Sequence, residues 1–263
     1  MEILSLLWGT VLLRPYVFAF LATYLIIAVC HMGWRRSLLF TVMAYCIAFL
    51  SEYSSTRNGF PYGFYSYIDT TRDQELWISN VPFMDSLSYS FLAFIGYSMA
   101  LFMRSQLKGE GWDLRIKRDP VIENSLPTVF LGALFFMLMD VVIDPVAFQG
   151  DRWFLGKIYT YQEEGEYFNI PLTNFAGWFI VGSAILFCFT RVNRRLSERW
   201  PLPDKEYPFQ ALWGPALYLC VLAFNLAVTF YIGEMVMGLC GLGWTAAILG
   251  TLFYKINKTK RPA

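Results

Sequence analysis

Two aspartates, Asp140 and Asp144, stand four residues apart at the end of an apolar run that begins near Leu126. If that run is helical, the spacing puts both carboxyls on one face. Charges so close repel, and burial disfavours the ionised form, so at least one is expected to stay protonated near neutral pH. A carboxylic acid that keeps its proton is what general-acid chemistry requires. The same pair would also serve as a cap or as hydrogen-bonding glue between helices. Pro145 is expected to end the helix. Glu52, Asp85, Asn174 and Glu234 stand at the ends of other apolar runs. Asp85 and Glu234 suit helix N-termini, where the dipole favours negative charge, whereas Glu52 at a C-terminus would be opposed by it. Asn225 reads as a hydrogen-bonding residue between helices.

Beside these acids runs an aromatic stretch, Asn58-Gly59-Phe60-Pro61-Tyr62-Gly63-Phe64-Tyr65-Ser66-Tyr67. Tyrosines favour the headgroup level of a bilayer, but the two glycines imply a tightly folded loop. Such a loop next to buried carboxyls would wall a pocket for an apolar, electron-rich molecule. Other chemistries lack their residues. The single histidine, His31, cannot supply the ligand cluster of a di-iron desaturase, and it reads as a packed or snorkelling side chain. No lysine lies mid-helix in the last apolar run, since Lys255 is at its end, so a retinal Schiff base is not expected. The five cysteines (Cys30, Cys46, Cys188, Cys220, Cys240) have no metal-ligand spacing and read as small buried hydrophobes. No metal and no cofactor is expected. A net charge of +1 points to no nucleic-acid partner.

The elements that must hold these groups are set by composition. Of 263 residues, 56% are hydrophobic and only 16% are charged, against about 25% in a soluble domain. Long stretches carry no charge, and about 20 apolar residues cross the hydrocarbon core as a helix. Alternation of the kind a membrane barrel needs is absent. The chain therefore reads as one all-α domain, a polytopic transmembrane helix bundle of about seven spans. Their expected positions are 15–33, 37–53, 86–103, 126–143, 174–190, 211–231 and 234–254. Residues 2–13 are too short to cross and are expected in the interface or dipping into the bilayer. They lack the basic start and small-residue cleavage site of a signal peptide. Sixteen of the 21 Lys and Arg fall on one side, in loops 1–2, 3–4 and 5–6 and after the last span. By the positive-inside rule the C-terminus is cytoplasmic and the protein sits in the cell membrane. Thirteen of the 20 carboxylates fall on the other side, with the two long aromatic connections 54–85 and 144–173.

Taken in order, these motifs resemble the CruF-type carotenoid biosynthesis proteins. The resemblance rests on Glu52, Gly59-Phe60-Pro61-Tyr62-Gly63-Phe64-Tyr65-Ser66-Tyr67, Val81-Pro82, Asp140-Val141-Val142-Ile143-Asp144-Pro145 and Asn169-Ile170-Pro171-Leu172-Thr173-Asn174-Phe175-Ala176-Gly177-Trp178. It covers about residues 50–180; the flanking regions match only as apolar helices. Such proteins add water to the terminal double bond of an acyclic carotenoid, so the resemblance implies a hydratase with an apolar carotenoid or isoprenoid substrate, working in the lipid bilayer. Alkene hydration needs a proton donor, a positioned water and a site that tolerates a tertiary carbocation. On chemical grounds Asp140 or Asp144 would donate the proton while its partner, or Glu52, orients water. Tyr62, Tyr65 and Trp178 would face the cation, each ring contributing roughly 0.5–2 kcal/mol. Tyr67, Asp85 and Asn174 complete the expected substrate-binding set.

Two other classes compete. A membrane prenyltransferase would also use aspartates, through magnesium and a diphosphate. A second aspartate-rich motif is absent, however, and the acidic side offers few cations for a diphosphate. A transporter or lipid-binding protein would use intramembrane acids as a relay, but no internal repeat is evident.

Overall fold

The computed structural model describes residues 2–196 and 199–260 of the 263-residue chain. Glu198 and Arg261, counted above among the charged side chains, lie outside the described residues. Helix α1 (Glu2–Leu13) precedes α2 (Pro15–Met32) and α3 (Trp34–Asn58). The next segment forms short strands β1 (Tyr65–Tyr67), β2 (Trp77–Ile78) and β3 (Val81–Pro82). Helix α4 (Phe83–Arg104), a hairpin of β4 (Leu107–Glu110) and β5 (Asp113–Ile116), the single turn α5 (Pro120–Glu123) and α6 (Leu126–Ala147) follow. Strand β6 (Tyr159–Tyr161) then leads to α7 (Leu172–Leu196), α8 (Gln210–Tyr231) and α9 (Met235–Lys260).

Seven of these helices, α2, α3, α4, α6, α7, α8 and α9, are long and apolar enough to cross a bilayer, as expected. Helix α1, at 12 residues, is too short. Large apolar side chains such as Ile26, Val42, Leu50, Phe130, Ile180, Leu239 and Phe253 are exposed around the bundle. In water such a surface would aggregate; in lipid it is solvated. The chain is an integral membrane protein.

Helix α4 is the central element: 83% of its apolar stretch is buried, against 28% for α2, α3 and α9. It packs on α6, α3, α8 and α2. Small residues let the backbones close up. A β-carbon at Gly96 of α4 would stand 2.7 Å from the Gly132 carbonyl oxygen of α6, and one at Gly182 of α7 would stand 2.5 Å from the Phe136 ring.

Several boundaries differ from the sequence expectation. Helix α3 continues five residues past 53, through Ser54–Asn58, and stops at Gly59, whose left-handed φ of 78° lets its N–H reach the Ser55 carbonyl at 3.0 Å. Glu52 is therefore inside the helix and not at its opposed C-terminus. Pro145 does not end α6 either. It forfeits only the bond to Val141, and the helix runs on to Ala147, with Phe148 N donating to the Asp144 carbonyl at 2.8 Å. Asn225 donates its amide to Val221 of its own helix at 2.9 Å, and among the described residues the expected bond between helices is not made. The cysteines are corrected too: Cys46, Cys220 and Cys240 are exposed and Cys30 and Cys188 half-buried, none of them in the packed core. Hydropathy places a residue at membrane depth without saying whether its helix face meets protein or lipid.

Candidate active site

The acidic and aromatic residues converge because α3, α4, α6 and α7 bring their ends on one side of the bundle to the same level. Two connections close over them, 59–82 and 148–171. Each contributes a three-residue strand with tyrosines at both ends, Tyr65-Ser66-Tyr67 and Tyr159-Thr160-Tyr161, paired antiparallel with Tyr65 opposite Tyr161 and Tyr67 opposite Tyr159. Because side chains alternate along a strand, all four rings lie on one face of this ribbon. They point with Tyr62 into a cavity of about 130 Å³.

Asp140 and Asp144 line that cavity one helical turn apart. Asn174, the third residue of α7, bridges them: its Nδ2 donates to Asp140 Oδ2 at 2.7 Å and to Asp144 Oδ2 at 3.1 Å. Asp144 also accepts from Tyr161, at 2.8 Å on Oδ2, and from Tyr159 on Oδ1. Its acceptor sites are thus well supplied. Asp140 differs: it is fully buried, and its Oδ1 has no hydrogen-bond partner among the described residues.

A second acidic pair stands on the other side of the cavity. Glu52 of α3 accepts from Ser86 of α4, and Asp85 accepts from Tyr67, whose hydroxyl also lies within reach of Glu52. Tyr65 donates to the Tyr67 hydroxyl at 3.4 Å, and Tyr62 shares a hydrogen bond with Ser51 at 2.9 Å. Burial, with Glu52 nearby, pushes the Tyr62 and Tyr65 phenols well above the usual tyrosine range. Burial beside Asp85 does the same for Tyr67, and burial beside Asp144 for Tyr159 and Tyr161. These rings stay neutral and act as donors.

Trp178 supplies the largest aromatic face. It stacks on Tyr89 with centroids 4.6 Å apart and planes 15° apart, and it stands 6.5 Å from Tyr62. The opposite wall is apolar, made by Val17, Phe20, Phe91, Leu92 and Val221. Among the described residues, no lysine, arginine or histidine lines the cavity.

All nine residues assigned to the site from the sequence, Glu52, Tyr62, Tyr65, Tyr67, Asp85, Asp140, Asp144, Asn174 and Trp178, line this one cavity. Glu234 does not; it pairs with Arg152 at the α8–α9 turn. His31 lies near the other end of the bundle, on α2. Sequence reasoning missed Tyr89, Tyr159 and Tyr161. The Tyr-Thr-Tyr of β6 repeats the Tyr-Ser-Tyr of β1, and that echo was the available signal.

Residues 9–255 match the model of a family described as carotenoid biosynthesis protein. The chain belongs to that carotenoid biosynthesis family. The matched region contains the whole cavity. Among characterised proteins, the chain is similar to a bisanhydrobacterioruberin hydratase of Haloarcula japonica, 26% identical over 220 residues. The alignment covers 80% of this chain and 64% of that relative, so the family member described here spans under two thirds of the relative's length. No solved structure matches the chain.

Proposed function

We propose that this protein is a carotenoid hydratase that adds water across the terminal carbon–carbon double bond of an acyclic carotenoid end group. One observation carries the reading: four carboxyls, Glu52, Asp85, Asp140 and Asp144, line a single greasy cavity with no cationic side chain among its lining residues. Such a cavity holds protons in preference to four negative charges. The similarity to a hydratase of carotenoid chemistry supports the same reaction class.

Asp140 is the proton donor in this reading. Asn174 fixes one of its oxygens, and the other has no competing partner. Transfer of its proton to the less substituted alkene carbon forms a C–H bond and leaves a tertiary cation. The faces of Trp178, Tyr62 and Tyr65 stabilise that charge. Water then forms the C–O bond, and the proton it loses goes to the Glu52–Asp85 pair, which Ser86 and Tyr67 hold in place. Return of that proton to Asp140 restores the site, so alkene plus water gives a tertiary alcohol with nothing left over. No step calls on a metal or a redox cofactor.

The size of the cavity fits an end group alone. About 130 Å³ is close to the roughly 150 Å³ that holds a benzene molecule in an engineered protein cavity. One five-carbon terminus fills it, and the remaining polyene leaves along the apolar wall toward lipid. A diphosphate would find no cation in the lining, which disfavours prenyl transfer. The charge asymmetry of the loops supports a cytoplasmic C-terminus and, with it, a cavity in the non-cytoplasmic half of the membrane. Expression in a host that makes acyclic carotenes tests the reaction. The expected product is a more polar pigment heavier by one water; unchanged pigments at normal protein levels refute the assignment.

A further inference from the structure

The opposite, basic end of the bundle contains a second cavity, of about 310 Å³, lined by His31, Arg118, Lys205 and Gln210 among others. It lies beside the α2–α3 turn: a β-carbon at Gly33 would stand 3.7 Å from Pro203, which also lines it. Arg118 donates to the His31 carbonyl and, at 3.3 Å, to the nearly buried carboxylate of Glu123. Next to Arg118 is Arg36, only 2% exposed, with Nε and Nη1 lacking any partner among the described residues. His31 Nε2 is likewise buried and unpartnered.

The charges do not balance. Two guanidinium groups share one interior carboxylate, Glu123. The acids that line the cavity are at its rim, where Asp204 is exposed and Glu206 is held by Lys108 at 2.5 Å and lies 4.0 Å from Arg115. A buried cation that only shares its counter-ion is incompletely compensated, and uncompensated buried charge costs more than a surface pair returns. Arg36 also belongs to the first turn of the 25-residue helix α3, whose cap Gly33 offers no side-chain acceptor, so the helix end adds to the positive potential. Guanidinium and imidazole donors gathered around a polar hollow suit a tetrahedral oxyanion.

We propose that this cavity binds a phosphate group, held by Arg118 and His31 with Arg36 supplying charge from behind. The phosphate is either that of an anionic lipid headgroup or free in solution, and both would offer the same oxygens. In the first case the site anchors a lipid where α2, α3 and the 202–211 connection meet, at the end of the bundle away from the acidic cavity. The site is independent of the hydration chemistry.

The test is thermal unfolding of the full chain in neutral detergent, with phosphatidylglycerol, phosphatidylcholine or inorganic phosphate added at matched ionic strength. A rise of about 5–10 °C is expected when the ligand is a hundredfold above its Kd. The rise should vanish in Arg118→Gln and persist in part in Arg118→Lys. A rise with phosphatidylglycerol alone assigns the lipid source, and one with inorganic phosphate assigns the free anion. Should Arg118→Gln fail to fold, His31→Gln, which leaves the guanidinium–carboxylate contacts intact, carries the same comparison. No rise with either ligand, or an equal rise in wild type and variants, overturns the proposal.

Discussion

Changing Asp140 to asparagine should separate chemistry from stability, and changing Asp144 should not. Asn174 Nδ2 reaches Asp140 Oδ2 at 2.7 Å, and an amide oxygen placed there accepts the same bond. The new NH₂ takes the position of Oδ1, which already lacks a partner in the wild type, so one unpartnered buried group replaces another and no hydrogen bond is lost. Asp140→Asn therefore preserves the local structure and removes only the acidic proton. General-acid catalysis is worth about 10²–10⁴-fold, or about 2.7–5.5 kcal/mol of barrier, so turnover should fall by that factor with the unfolding temperature nearly unchanged. At Asp144 both oxygens accept hydrogen bonds, from Tyr159 on one and from Tyr161 and Asn174 on the other. Whichever becomes NH₂ confronts a donor. Leaving buried donors unsatisfied costs about 1–3 kcal/mol, so Asp144→Asn should lose stability as well as activity. The assay is the rate of hydrated-pigment formation in membranes normalised to folded protein, with thermal unfolding of the same preparations. Asp140→Asn retaining more than a tenth of wild-type turnover would refute the assignment of Asp140 as the acid.

Two other outcomes follow from the packing and the tyrosine network. Gly96→Ala places a methyl group 2.7 Å from the Gly132 carbonyl oxygen and 3.1 Å from Phe136 N, backbone atoms that cannot step aside. It should destabilise the bundle by about 1–3 kcal/mol, read as a lower unfolding temperature with the cavity residues intact. Raising the pH above about 10, the ordinary tyrosine value, should unfold the protein: the unfolded chain releases phenolic protons there, while burial keeps Tyr62, Tyr65, Tyr67, Tyr159 and Tyr161 protonated in the folded state. Stability from this source is complete below that pH and lost above it. Tyrosinate absorbance from these five should appear together with unfolding; its earlier appearance in folded protein would count against a closed ribbon.

The spans and most of the cavity were legible in the sequence because lipid imposes a simple rule, that unbroken apolar runs become helices. Acids at their ends then stand out against a background in which charge is costly. Asp140 and Asp144 were found by their spacing, and the tyrosines of 62–67 by their glycines. What escaped depends on partners. Tyr159 and Tyr161 lie in a three-residue strand that exists only because β1 lies beside it, and three residues carry no periodicity of their own. The end of α3 is hidden because Ser54–Asn58 are polar, although Gly59 marks the stop. The cysteines read as interior because an apolar residue facing lipid and one facing protein look alike in a bilayer-spanning run.

The narrowness of the acidic cavity has a consequence for what the protein tells apart. If the proposed reaction holds, a hollow of this size takes one isoprene tip, gauges a terminus and is blind to whatever trails behind it. Polyenes of different length should then compete on nearly equal terms if their tips are alike. A ring closed at the tip would bar entry, whatever the length of the chain.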